Sequence, residues 1–142
     1  MINTSELGEA EATLAITTIR AELLRRGKVA VIAVGDPHGE LIALQKMDGA
    51  PLPSILIACN KVYTAARNRG ESGDIGRDSI KEGWDQANFG DQRYIGWEGG
   101  AAVHFQGRVL GAVAVSGLSG EEDLELSKLA IAAILKSLES AA

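Results

Sequence analysis

The residues whose side chains are best suited to binding or catalysis are Lys61, Tyr63 and Thr64, which lie almost side by side in the chain. On a helix, positions 57, 61 and 64 share one face, so Lys61 and Thr64 can act together on one ligand. An ammonium group beside a hydroxyl suits an anionic group such as a carboxylate, and Lys61 and Tyr63 are also candidates for acid–base work. The alternative is a solvated lysine whose stem covers the helix. The sequence leaves both interpretations open.

The chain has two histidines, His38 and His104. His38 lies in a predicted turn and is interpreted as an exposed turn residue. His104 lies in a predicted strand, and alternation along the strand directs it away from the face of Val103 and Phe105. A neutral imidazole can bind a metal or move protons near neutral pH, although a lone strand histidine more often has a structural role. Without a nearby cysteine or carboxylate cluster, we predict no metal site.

The remaining candidates are two acidic residues, Asp48 and Asp123. Asp48 and Gly49 stand in a predicted loop, where Asp48 could shape the mouth of a pocket or serve only as a turn residue, and we favour the turn. A cluster that includes Asp123 opens the last predicted helix, where the helix dipole already explains carboxylates. The backbone N–H groups of residues 117–120, just before it, could instead hold an anion.

Hydrophobic periodicity places these residues on helices and strand pairs. The predicted order is helix, two strands, two helices, two or three strands and a last helix. Because both evident strand pairs are hairpins, the sheet is predicted to be antiparallel with helices packed on it, an α+β fold. The predicted helices are residues 4–26, 53–70, 77–88 and 120–138, and the predicted strands are residues 28–34, 41–44, 101–105 and 108–116.

Two short motifs mark the boundaries of these elements. Gln106-Gly107 is typical of a two-residue hairpin turn of the kind that Asn-Gly makes. Ser119 to Glu122 has the pattern of a capping box. In a capping box, the Ser119 hydroxyl accepts the N–H of Glu122, and the carboxylate of Glu122 bonds back to the backbone.

The segment from Glu71 to Glu98 is the least regular part of the chain. A polar, glycine-punctuated stretch with large aromatic residues could form a lid over a ligand. The alternative is a loop that its aromatic side chains pin to the core. The aromatic residues of this segment are Trp84, Phe89, Tyr94 and Trp97.

Length and composition predict a single domain over residues 1–142 that binds neither nucleic acid nor membrane. The formal net charge of −5 argues against nucleic acid, because phosphate binding requires a basic patch. No apolar run approaches the length that crosses a membrane, and acidic residues stand near the N-terminus where a signal peptide would be basic. We therefore expect a cytoplasmic protein. Cys59, the only cysteine, is predicted to be a buried small hydrophobe.

Two blocks of the sequence resemble the GlcG/HbpS-like family, the haem-binding and haem-degrading-like domain that also forms the C-terminus of propanediol-utilisation adenosyltransferases. The resemblance covers about residues 7–135. The first block comprises Asp36, Gly39, Leu41, residues 47–51, Ser54, Ala58, Lys61, Tyr63, Thr64 and Ala65, and the second comprises Gly99, Gly100, residues 107–117 and residues 120–123.

The resemblance implies a five-stranded antiparallel sheet of the profilin-like or PAS-like type and haem, or another small anionic compound, as ligand. It also implies a homo-oligomer, which the alanine-rich last helix would suit. Asp123 matches the acidic position of the family, which could serve a metal or act as a general base. The alternative is an enzyme of small-molecule catabolism, an isomerase, lyase or hydrolase. The resulting candidates are Lys61, His104 and Asp123 for catalysis, and Asp48, Lys61, Tyr63, Thr64 and His104 for cofactor binding.

Overall fold

The computed structural model describes residues 1–141, which form one antiparallel sheet with helices on both faces. Among these residues, no helix combines the length and apolar character that crossing a bilayer requires. The helices are α1 (Glu9–Arg26), α2 (Ser54–Asn68), α3 (Gly73–Glu82) and α4 (Gly120–Ala141), with a 3₁₀ turn at Gln86–Phe89, and the strands are β1 (Val31–Gly35), β2 (Leu41–Lys46), β3 (Gly100–Phe105) and β4 (Arg108–Ser116).

The sheet has the order β2-β1-β4-β3, and every neighbouring pair is antiparallel. The predicted antiparallel α+β fold is therefore confirmed, but the five-stranded sheet is wrong because the sheet has four strands. Where a fifth strand would lie, a single bridge joins Glu71 to Ala101. Residues 70–72 run beside β3 but enter α3 at Gly73, so the chain has no length left to continue the pairing.

Both central strands are buried, β1 throughout and β4 from Leu110 to Ser116. Ile32 and Val34 of β1 pack with α1 and α4, whereas Val31 and Ala33 pack against α2. Because α2 and α4 lie on opposite faces of the sheet, a contact between them must pass around the end of the strands.

Some predicted helix boundaries are wrong for local reasons. The helix predicted at residues 77–88 is replaced by α3, which ends at Gly83 in the left-handed conformation, followed by the separate 3₁₀ turn. The capping box forms only in part: the N–H of Glu122 donates to the Ser119 hydroxyl at 3.2 Å. The Glu122 carboxylate instead accepts from Arg26 and Lys28, which ties α4 to the end of α1.

A β-bulge in β4 sets the position of His104. Val103 pairs with Gly111 and His104 with Val109, so Leu110 is an extra residue on β4 while β3 stays regular. Gly111 has φ of 152°, and a Cβ at that position would clash with the carbonyl oxygen of Gly35. Position 111 therefore requires glycine. The bulge fixes the register of β3, the strand that carries His104.

Replacing Gly111 with alanine should lower the free energy of unfolding by about 3 kcal/mol, because the new methyl group would both clash with its neighbours and strain the backbone. Gly83→Ala is the control, since Gly83 also has positive φ but its Cβ would meet nothing within 4 Å. Gly83→Ala should lower the free energy of unfolding by about 1 kcal/mol. Urea unfolding of both variants measures the difference, and equal losses would contradict the packing role of Gly111.

Candidate functional site

A groove of about 590 Å³ lies beside the outer edge of β3, where the sheet has no further strand. We call it the β3-edge groove. Its walls come from three parts of the chain: β3, the middle of α4 and the segment that leads into the first turn of α3. Cavities of this size accept cofactors and other small molecules. The residues that line it are Gly70, Glu71, Asp74, Ala101, Ala102, His104, Lys128, Ile131 and Leu135.

The imidazole of His104 is exposed and lines this groove. Because β3 is regular, His104 falls on the face opposite the buried Val103, as alternation predicted. Ile131 and Leu135 lie one turn apart on α4 and provide an apolar wall. The groove thus combines a metal-ligating nitrogen with apolar surface.

The carboxylates of the groove are each paired with a cation. Lys128 Nζ lies 2.9 Å from Glu71 Oε2, and Arg77 bonds Asp74 Oδ1 at 2.6 Å. The side chains of Lys128 and Glu71 are 57% and 31% exposed, and ion pairs at such positions contribute less than about 1 kcal/mol. Lys128 can therefore exchange Glu71 for an anionic group of a ligand. Sequence reasoning missed Lys128, although it precedes Ile131 by one helical turn.

Lys61 and Asp123 form an ion pair in the protein interior. Lys61 Nζ lies 3.1 Å from Asp123 Oδ2 and donates to the carbonyl oxygen of Val115 at 3.0 Å. The other carboxylate oxygen of Asp123 accepts the N–H of Leu118 at 3.2 Å. The side chains of Lys61 and Asp123 are 3% and 2% exposed. The structure thus brings two predicted catalytic residues together, but at a place that lines no part of the β3-edge groove.

Burial acts on both members of this pair. Loss of hydration lowers the pKa of the Lys61 ammonium, and the facing Asp123 carboxylate opposes that change. Loss of hydration likewise raises the pKa of the Asp123 carboxyl, and Lys61 opposes it. Each residue therefore depends on the other to stay charged, which is the condition under which a buried pair is retained.

Tyr63 and Thr64 are held by the segment that follows α3. The Tyr63 hydroxyl donates to Asp91 Oδ2 at 2.6 Å, and the guanidinium of Arg93 lies 3.9 Å from the centre of the Tyr63 ring. The Tyr63 hydroxyl and Arg93 lower the pKa of the Asp91 carboxyl to about 2. Thr64 Oγ1 accepts the N–H of Ile95 at 2.9 Å. Lys61 and Thr64, predicted to share a ligand, therefore have different partners inside the protein.

Three of the four aromatic residues of this segment form a chain of ring contacts that reaches Tyr63 of α2, whereas Trp97 is exposed. Phe89 stacks on Tyr94 with ring centroids 4.3 Å apart, and Tyr94 meets the edge of Tyr63 at 5.3 Å. Trp84 packs against Phe89 at 5.9 Å. This continuous contact with α2 agrees with a loop pinned by its aromatic side chains.

The remaining candidates lie apart from the groove. Asp48 is exposed in a turn closed by the bond from Ala50 N to Met47 O at 3.1 Å, and Gly49 has positive φ, as the turn interpretation predicted. His38 is exposed in the first hairpin turn, and Cys59 is half-buried. Within residues 1–141, no group of three or more histidine, cysteine or carboxylate side chains is arranged to hold a metal ion.

Replacing Lys61 with methionine should lower the free energy of unfolding by about 3–5 kcal/mol, because Asp123 would remain buried without its partner. The double variant Lys61→Met/Asp123→Asn should recover much of this loss, since the amide needs no counter-ion. Lys128→Met is the control, because it breaks an exposed pair and should cost under about 1 kcal/mol. Urea unfolding measures all three, and similar losses for Lys61→Met and Lys128→Met would refute the structural role of the pair.

The comparisons with known proteins agree with this architecture. The sequence model of the family described as haem degrading protein HbpS-like matches residues 7–132. A 15.0 kDa protein in the dhaT-dhaS intergenic region of Citrobacter freundii is 33% identical over 116 residues, which cover 80% of this chain and 81% of that protein.

Solved structures show the same fold. Protein ORFY of Klebsiella pneumoniae superposes with a TM-score of 0.86 and 27% identity, covering 94% of both chains. HbpS gives a TM-score of 0.84 at 20% identity, covering 94% of this chain and 93% of its own. PduOC, solved as a complex with haem, gives 0.80 at 23% identity over 90% and 94%. Because the family match spans nearly the whole chain, this protein belongs to the HbpS-like family.

Proposed function

We propose that this protein binds haem, or another small anionic compound of similar size, in the β3-edge groove. The observation that carries the proposal is the imidazole of His104 in a groove that also offers an apolar wall and an exchangeable ammonium group. Membership of the HbpS-like family and the likeness to a haem complex of PduOC support the choice of haem. A catalytic activity and a homo-oligomer stay predictions.

The chemistry of the groove fits the three parts of a haem. Haem iron binds imidazole nitrogen, and His104 would supply that ligand. The flat macrocycle is apolar, and Ile131 and Leu135 of α4 offer an apolar surface against which it can lie. The propionates are anionic, and Lys128 would pair with one of them in place of Glu71. When bound, haem would supply redox chemistry at its iron.

Lys61 and Asp123 would serve this site by positioning its wall. Asp123 stands in the first turn of α4, and its bond to Lys61 anchors that end of the helix. One turn later, the Ser127 hydroxyl donates to the carbonyl oxygen of Gly99 at 2.7 Å, directly before β3. The first bond ties α4 to α2 and the second ties it to the residue before β3, so together they position the helix that carries Lys128 and Ile131.

The proposal is tested by titrating haem into the protein and following the Soret band. The wild type should give a saturable shift. His104→Ala should weaken binding at least about tenfold, equivalent to about 1.4 kcal/mol, because the iron loses its axial ligand. His38→Ala, which removes an exposed imidazole from a turn, should bind like the wild type. Absence of a shift in the wild type excludes haem, and equal binding by His104→Ala excludes this groove.

A charge reversal at Lys128 tests the anion-holding part of the groove separately. Lys128→Glu should weaken haem binding about threefold to tenfold, because a propionate would meet a carboxylate in place of an ammonium. Lys136→Glu is the matched control, since Lys136 is exposed on the same helix and lies outside the groove. The same titration measures both variants. An equal effect of the two reversals would show that the overall charge of the protein, and not a contact in the groove, affects haem binding.

A further inference from the structure

A second groove, of about 360 Å³, carries three arginines: Arg67, Arg69 and Arg108. It lies between the C-terminal end of α2, the start of β4 and the N-terminal segment, residues 2–5. We call it the arginine groove. It shares no lining residue with the β3-edge groove.

Within the part of the chain that the structure describes, the three guanidinium groups have no carboxylate counter-ion. Among residues 1–141, none of them forms an ion pair with a carboxylate, and no acidic residue lines the groove. Four of the other five arginines of the chain, Arg25, Arg26, Arg77 and Arg93, do form such pairs. In a chain of net charge −5, these three exposed arginines form a local cluster of positive charge, which a bound anion would stabilise.

Two of these side chains are already held in place. The Arg67 guanidinium lies 4.8 Å from the centre of the Tyr63 ring and its Nε donates to the Tyr94 hydroxyl at 3.0 Å. Arg108 Nη1 donates to the carbonyl oxygen of Asn3 at 3.1 Å. Both keep further N–H donors for a ligand, because a guanidinium has five. Fixed donors lose less conformational freedom when a ligand binds, which favours binding.

The backbone at Arg69 is a separate indication of function. Arg69 follows the last residue of α2 with φ of 59° and ψ of 35°, the left-handed conformation that glycine usually takes at a helix end. Glycine comes one position later, at Gly70, so the chain places an arginine at the strained position. Strained non-glycine residues are concentrated at binding and catalytic sites, where the strain is retained because the side chain is needed.

We propose that the arginine groove binds a small molecule that carries a phosphate group. A phosphate has up to two negative charges and three terminal oxygens, which match several guanidinium groups better than a single carboxylate does. The side chains of Thr4 and Ser5 also line the groove and add hydroxyl donors. Its volume lies in the lower part of the range for small-ligand cavities. This ligand would bind independently of the proposed haem ligand.

Thermal unfolding with inorganic pyrophosphate as the probe tests this proposal, at ionic strength held constant with potassium chloride. The wild type should show a saturable rise in Tm. Arg69→Gly should bind pyrophosphate at least about tenfold more weakly. Without pyrophosphate it should unfold no earlier than the wild type, because glycine relieves the backbone strain. Arg108→Ala should also bind more weakly.

Arg20→Ala is the matched control, because Arg20 is an exposed arginine of α1 without an ion pair among the described residues and lies outside the groove. It should respond to pyrophosphate like the wild type, as should His104→Ala, which separates this groove from the haem site. Unchanged binding by Arg69→Gly, or an equal loss in Arg20→Ala, would overturn the site. A rise in Tm with malonate but none with pyrophosphate would overturn the phosphate assignment.

Discussion

The buried contact between Lys61 and Asp123 is the interaction on which the relation of the two helix layers depends. Lys61 belongs to α2 on one face of the sheet and Asp123 to α4 on the other, so their ion pair crosses at the end of the strands. Removing two charges from water costs several kcal/mol each, and their attraction compensates only when the geometry is good and the other polar atoms are satisfied. Here the carbonyl oxygen of Val115 and the N–H of Leu118 satisfy them.

This constraint explains why Lys61 and Asp123, two of the three predicted catalytic residues, line neither of the two grooves. An apolar pair in their place could pack with several relative positions of α2 and α4, whereas a salt bridge has one favourable geometry. The hydroxyl of Ser127, bound to the carbonyl oxygen of Gly99, restrains α4 in the same direction. The ion pair and the Ser127 bond together position α4, which forms one wall of the β3-edge groove. Contacts in the interior therefore determine the shape of a groove at the surface.

The two grooves differ in how their charges are balanced. In the β3-edge groove, Glu71 and Asp74 are paired with Lys128 and Arg77, so the site is nearly neutral and an imidazole and apolar side chains dominate it. In the arginine groove, no carboxylate among the described residues pairs with the cations. A neutral, half-apolar site favours a large amphiphilic ligand, and a cationic site favours a small anion. The two proposals therefore concern ligands of different classes at separate places on the same fold.

The sequence by itself determined the features that depend on neighbours along the chain. The α+β class and the hairpin turn at Gln106-Gly107, with φ of 50° and 76°, follow from hydrophobic periodicity and turn chemistry within a few residues. The same local rules put His104 on the face away from Val103. Tertiary structure alone decided which distant residues meet. The Glu122 carboxylate accepts from Arg26 and Lys28 instead of forming its predicted cap. Lys61 pairs with Asp123, a residue 62 positions away. Three arginines line one groove: Arg67, Arg69 and Arg108. Such contacts depend on how whole helices pack against the sheet, and that packing is a property of the complete core, which no local pattern of residues specifies.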